Sequence, residues 1–209
     1  MGDRFDSLRS LVRRAGERAK ETVREQPFVQ AIRRMQSEIG ARRLTIPERE
    51  LARAALSLPG LRSASVRADE GAIRLDLEAE DGRTVRARLV PTQPRFAPHG
   101  AKEIVFLVVP EEAAGEPLVR AYVASLGQLI ARALWGAMAP QLATERDASS
   151  AVTDRERDEL RIDLRTLPLV RAIAQTPAGG ALLDALAVES LEAQGGNLVA
   201  RISMGLFSR

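Results

Sequence analysis

A chain of 209 residues with 45% apolar residues can bury a real core, but only 3% are aromatic, so that core is aliphatic and stacking platforms for single-stranded nucleic acid are hard to assemble. The absence of cysteine excludes disulfides and thiolate metal sites and fits a reducing compartment. The formal charge is only +3, yet residues 1–43 hold eleven Lys/Arg against six Asp/Glu, which leaves the remainder slightly acidic; an anionic partner is therefore expected at the N-terminal end.

Arg4, Asp6, Arg9, Arg13 and Arg14 break any apolar run at the start, so no signal peptide is expected and the chain is placed in the cytoplasm. Phe5, Leu8, Leu11, Val12, Ala15, Ala19 and Val23 recur at three- and four-residue steps and predict a basic amphipathic helix. Pro27 interrupts it, and Phe28, Ile32, Met35 and Ile39 form a second stripe that Gly40 ends. Residues 1–45 are thus expected as a basic helical arm on a folded part spanning 46–209. On an anionic membrane the arm would make contact through Phe5, Leu8, Arg9, Leu11, Val12, Arg13 and Arg14, with basic residues contributing roughly 1 kcal/mol each, and the protein would be peripheral to the inner membrane. The competing reading packs the stripe on its own domain or on a second subunit. Ion pairs from Glu17, Glu21 and Glu25, and the shallowness given by Ala15 and Ala19, favour that second reading.

Pro47, taken as a first helical turn, opens a short helix carrying Leu51, Ala54, Ala55 and Leu58, which Pro59-Gly60 stops. Ile73, Leu75 and Leu77 then alternate with Arg74, Asp76 and Glu78, and after the Asp81-Gly82 turn Val85, Ala87 and Leu89 alternate with Arg86 and Arg88; this is an antiparallel meander with one wet face. Beyond a proline-rich loop, Ile104 to Val109 is a continuous apolar strand that needs cover on both faces. The longest helix is expected from Pro117 to about Leu142, its charges too closely spaced for a membrane span. The polar stretch Thr144 to Glu159 reads as a mobile loop. Leu160, Ile162 and Leu164 form a strand, a short helix follows Leu167-Pro168 and breaks near Pro177 and Gly179-Gly180, and a hairpin from Leu186 to Met204 closes the chain.

Two stretches echo one another without a gap: Ser65 to Leu77 and Ser190 to Ile202 place apolar residues at matching steps around a central glycine, so each reads as strand, tight turn and strand. Chemistry-bearing constellations are missing from the pattern. The single histidine, His99, sits in a proline-rich loop as a solvent-facing residue, the Lys102-Glu103 pair reads as an ion pair at a strand edge in solvent, and Asp69, Glu70 and Asp81 are explained by their turn glycines. Neither Gly179-Gly180 nor Gly195-Gly196 has the spacing of a phosphate loop. No catalytic residue, metal ligand or cofactor is assigned, and a non-enzymatic protein is expected.

In order, the Val66 to Leu77 hairpin, the Asp81-Gly82-Arg83 turn, the long helix from Pro117, the Ile162 to Pro168 strand exit and the Val188 to Val199 hairpin resemble the tubular lipid-binding (TULIP) superfamily, in particular its LmeA-like bacterial branch. The resemblance covers about two thirds of the chain, Leu61 to Leu206. It implies an α+β fold in which a curved antiparallel β-sheet wraps a long α-helix, here with an N-terminal helical arm, and an apolar groove that holds the acyl chains of a phospholipid or similar ligand. The groove residues it implies are Ile73, Leu75, Leu77, Val85, Leu89, Leu198 and Ile202 on strands, with Tyr122, Leu126, Leu129, Ile130 and Leu134 on the helix. The same residues serve equally as a filled core, each contributing roughly 1.5–3 kcal/mol by burial. The alternative function is an oligomeric scaffold whose N-terminal helices pair between subunits, forming a homo-oligomer. Nucleic acid is disfavoured by the low charge and the few aromatics.

Overall fold

The computed structural model describes residues 43–135, 152–156 and 158–204. Among these the protein is α+β, with antiparallel ladders and four helices. The chain enters through β1 (Arg43–Pro47) and turns into α1 (Glu48–Leu56). Pro47 stands just outside that helix in an extended conformation, and Glu48 and Glu50 in the first turn complement the positive end of its dipole.

A meander of β2 (Leu61–Asp69), β3 (Ala72–Ala79) and β4 (Thr84–Pro91) follows, in register Val66 to Leu75 and Leu75 to Ala87. Ile73, Leu75 and Leu77 are buried while Arg74 and Asp76 are exposed, as a period of two on a one-sided sheet requires. The proline-rich loop contains a two-residue strand, β5 (Arg95–Phe96), paired to β6 (Lys102–Val109). Strand β6 lies between β4 and β8 (Glu159–Asp163), and its unbroken apolar run is explained by burial of the consecutive residues Ile104, Val105 and Phe106. The long helix α2 (Pro117–Trp135) connects β6 to β7 (Val152–Glu156), which pairs with β8. Two short helices, α3 (Pro168–Ala174) and α4 (Pro177–Ala185), lead into β9 (Leu186–Gln194) and β10 (Asn197–Met204).

Two sheets result, ordered β2-β3-β4-β6-β8-β7 with β5 beside β6, and β1-β10-β9. Strand β9 packs against β2, β3, β4 and β5 in turn, so the small sheet crosses one end of the large one. Helix α2 covers the other end, against β7, β8 and β4, and reaches α1 and β1.

The sheets meet at their hairpin tips. Both hairpins turn through two residues with positive φ: Glu70 (50°) and Gly71 (76°) in the first, Gly195 (56°) and Gly196 (73°) in the last. Gly71 N donates to Ala193 O at 2.9 Å and Gly196 N donates to Ala68 O at 2.9 Å. Ala68 and Ala193 are equivalent positions of the sequence echo, as are Gly71 and Gly196, so the bonds are reciprocal and relate the hairpins by a local pseudo-two-fold. Glu48 staples the seam: its N–H donates to Gly196 O and its carboxylate accepts the Ala68 N–H, each at 2.9 Å.

Several expectations are corrected. Arg43, Leu44 and Thr45, assigned to the arm, pair with Arg201, Ala200 and Val199 in β1, because alternation around Ile46 suits a sheet edge. The remainder of the arm, Phe5, Leu8, Arg9, Leu11, Val12, Arg13 and Arg14 included, lies outside the described residues, as do residues 136–142 of the long helix. Part of the polar loop, Val152–Glu156, is an edge strand, a position that tolerates charge. Gly179-Gly180 is no break: the glycines sit inside α4, where Thr176 Oγ1 accepts the Gly179 N–H at 3.1 Å and a Cβ on Gly179 would collide with Ile173 O.

Candidate functional site

Ile73, Leu75 and Leu77 of β3, with Val85 and Leu89 of β4, are buried on the inner face of the large sheet. Leu198 and Ile202 of β10 are buried on the small one, and Tyr122, Leu126, Ile130 and Leu134 of α2 close the same apolar cluster, with Leu129 half-buried against it. All twelve residues implied by the resemblance therefore share one aliphatic interior. Packing there is close where α2 crosses β8: a Cβ on Gly127 would approach Ile162 Cγ2 to 2.5 Å, so glycine sets the helix-to-sheet distance. The Tyr122 hydroxyl donates to Leu51 O at 3.3 Å, and burial pushes its phenol pKa up, which keeps the group protonated.

At the last described turn of α2 the interior contains a polar atom with no partner. Trp135 is fully buried, and its Nε1–H finds no acceptor among the described residues. Its ring stacks on Phe96, centroids 6.2 Å apart and planes inclined by 18°. On Phe96 in turn sits Lys102, its Nζ 4.9 Å from the ring centroid.

Lys102 corrects the expected solvent pair: it is 0% exposed, donating from Nζ to Ala97 O and Leu186 O, both at 2.6 Å. Desolvation, then repulsion from Arg165, lowers its pKa to about 8, with Asp184 opposing. The ammonium ties the 97–102 loop to the start of β9, which an edge pair with Glu103 does not do. His99 is exposed as expected, but its backbone is fixed: φ is 52° and its N–H donates to Asp184 O at 2.7 Å.

Beside this clamp, α3, α4 and the 97–101 loop enclose an open cavity of about 690 Å³ lined by His99, Arg165, Arg171, Gln175, Leu183 and Asp184, with Ala174 and Gly180 between the helices. Arg165 pairs with Asp184 at 3.3 Å. The sequence assigned no role to any of these lining groups, reading His99 as a solvent-facing loop residue and Gly180 as part of a helix break, because their positions converge from three separate segments.

The turn acids behave as expected. Asp81 accepts from Arg83 N at 3.0 Å and Arg83 Nε at 2.7 Å, which holds its carboxyl below the usual range, and Asp69 accepts from Glu70 N at 2.9 Å. Among the described residues no group of three or more His, Cys, Asp or Glu is placed to hold a metal, and no helix is long and apolar enough to cross a membrane. No protein family, characterised protein or solved structure matches this chain. The class that fold and site define is an α+β protein with antiparallel sheets, an aliphatic interior and an open cavity beside it.

Proposed function

We propose that this protein is a non-enzymatic binder of an acyl-chain amphiphile, such as a phospholipid, taken into the aliphatic interior between α2 and the two sheets. The observation that carries the reading is that the buried indole N–H of Trp135 finds no acceptor among the described residues. A buried donor without an acceptor costs on the order of 1–3 kcal/mol, and an ester or phosphate oxygen entering alongside Phe96 removes that cost. On this reading the acyl chain enters at the seam between β2 and β9, which is held by hydrogen bonds at the tips, Gly71 to Ala193 and Gly196 to Ala68, and by Glu48. On this reading the large sheet curves around α2 in the manner of tubular lipid-binding proteins, and the basic arm brings the domain to the cytoplasmic face of an anionic membrane.

Trp135 is the only tryptophan, so its emission reports on the site directly. Titration with short-chain phosphatidylcholine is expected to shift that emission saturably, and native mass spectrometry to show a retained lipid whose occupancy falls in Trp135→Phe, which keeps an aromatic ring, though a smaller one, and removes the donor. Unchanged emission together with a lipid-free protein rejects the proposal. A second reading, the oligomeric scaffold, rests on the expected pairing of the arm helices; a change of subunit number on deleting residues 1–42 with no lipid in either form would replace the first reading by this one.

A further inference from the structure

We propose that the cavity at the α3–α4 corner is a binding site for an oxyanion, phosphate or carboxylate, carried on a small organic body. The inference stands apart from the acyl-chain reading, since it uses a different cavity and different residues.

The charge is arranged for an anion. Arg171 has no acidic partner among the described residues, so its guanidinium presents its donors unspent to the cavity. Arg165 is held in place by one contact to Asp184, with side chains 43% and 45% exposed, leaving donors over. The buried Lys102 lies close enough to both groups to feel their charge, and it adds a positive field from below that no carboxylate in contact neutralises. Asp184 is the single acid of the lining among the described residues, and it is already engaged by Arg165. The side chains of His99 and Gln175 make no hydrogen bond among the described residues, which gives two further polar groups at the rim.

Rigidity supports the same conclusion. Arg171 stands in the last turn of α3, and Gly180 brings α4 against that helix, since a Cβ there would lie 3.1 Å from Ala174 O. His99 is fixed in a left-handed conformation by its bond to Asp184 O, so the loop side of the cavity is held while its side chain stays exposed. Size then selects the class of ligand. A volume of about 690 Å³ falls in the range of organic ligand sites and far exceeds a bare phosphate, and Leu183 supplies an apolar wall for the rest of the molecule.

The test titrates the full chain, by calorimetry and by the NMR shift of the arginine side-chain N–H groups, with three probes: inorganic phosphate, dihexanoyl phosphatidic acid below its micelle concentration, and dihexanoyl phosphatidylcholine. Phosphatidic acid is expected to bind saturably, to weaken as salt rises, and to lose about tenfold or more in affinity in Arg171→Gln and again in Arg165→Gln. Arg171 is exposed and its side chain makes no hydrogen bond or ion pair among the described residues, so Arg171→Gln is expected to melt with the wild type. Inorganic phosphate binding as tightly as the lipid also supports an oxyanion site and assigns it to a free anion instead of a headgroup. Absence of binding by either anion, or binding that Arg171→Gln leaves unchanged, overturns the inference. Phosphatidylcholine entering the interior while neither anion binds would overturn this site and leave the acyl-chain reading standing; anion binding that Trp135→Phe leaves unchanged, with no phosphatidylcholine bound, is the reverse case.

Discussion

The first and last hairpins share a pattern and occupy different surroundings. Val66 and Leu191, Ala68 and Ala193, Ile73 and Leu198, and Leu77 and Ile202 are pairwise equivalent and all buried. Each inner strand has a third strand on its far side in the same register, Leu89 opposite Ile73 and Ile46 opposite Leu198. The third strand of the first unit is β4, which follows it directly, whereas that of the last unit is β1, from the start of the described chain. The equivalence extends from the tips to Ser65–Asp76 and Ser190–Arg201 and then stops: β9 bulges at Glu189, so Ile202 faces Val188, while β2 keeps step until the irregularity between Leu61 and Ser63. The lesson is that the tips are a shared device for joining two sheets, and the far ends are adapted individually.

Core truncation gives the largest expected effect. Ile73→Ala and Leu198→Ala should each cost about 2–5 kcal/mol in urea unfolding, and by similar amounts, if the two units share one cooperative core. Hydrogen exchange showing that Leu198→Ala opens β1, β9 and β10 alone would break the equivalence. The far end of β9 comes next, because Leu186 O is held by Lys102 and its counterpart Leu61 is only half-buried. The folded protein lowers the pKa of Lys102 from 10.5 to about 8, so between those values the unfolded chain binds more protons. Stability should therefore rise with pH across that window, by a few kcal/mol in total, and the rise should vanish in Lys102→Met.

Glu48→Ala removes the acceptor of the Ala68 N–H and is expected to cost about 1–3 kcal/mol, with no counterpart in the other hairpin. Gly71→Ala and Gly196→Ala each place a Cβ in open space, so their cost is conformational only, about 1–2 kcal/mol apiece. Unequal losses in thermal melting would show that the two turns are held in positive φ with different firmness. The smallest change is at the one non-glycine of the four turn positions: Glu70→Asn, a residue that tolerates positive φ, should alter stability by less than about 0.5 kcal/mol even though it gives up the exposed pair with Arg74.

Local pattern carried much of this fold. The period-two alternation of β3 and β4, the two glycine-centred turns and the wide apolar stripe of α2 were legible because each depends on neighbours a few residues away. The polar strand β7 was illegible, since the Val152–Glu156 stretch owes its conformation to pairing with β8 and not to its own composition. Lys102 was misjudged for a related reason: nothing near it in sequence announces that Leu186 O, 84 residues away, will accept a hydrogen bond from its ammonium.

By itself the sequence determined the aliphatic character of the interior, the strand alternation, the turn positions and the echo between the hairpins, all of which follow from side-chain chemistry read at short range. Tertiary structure alone decided that the echoing tips bond to each other, that β1 joins β10 across some 150 residues, and that Arg165, Arg171, Asp184 and His99 surround one cavity. Backbone donors and charged side chains are chemically alike everywhere along a chain; which of them meet is set by how the buried faces of the two sheets and α2 must stack to exclude water.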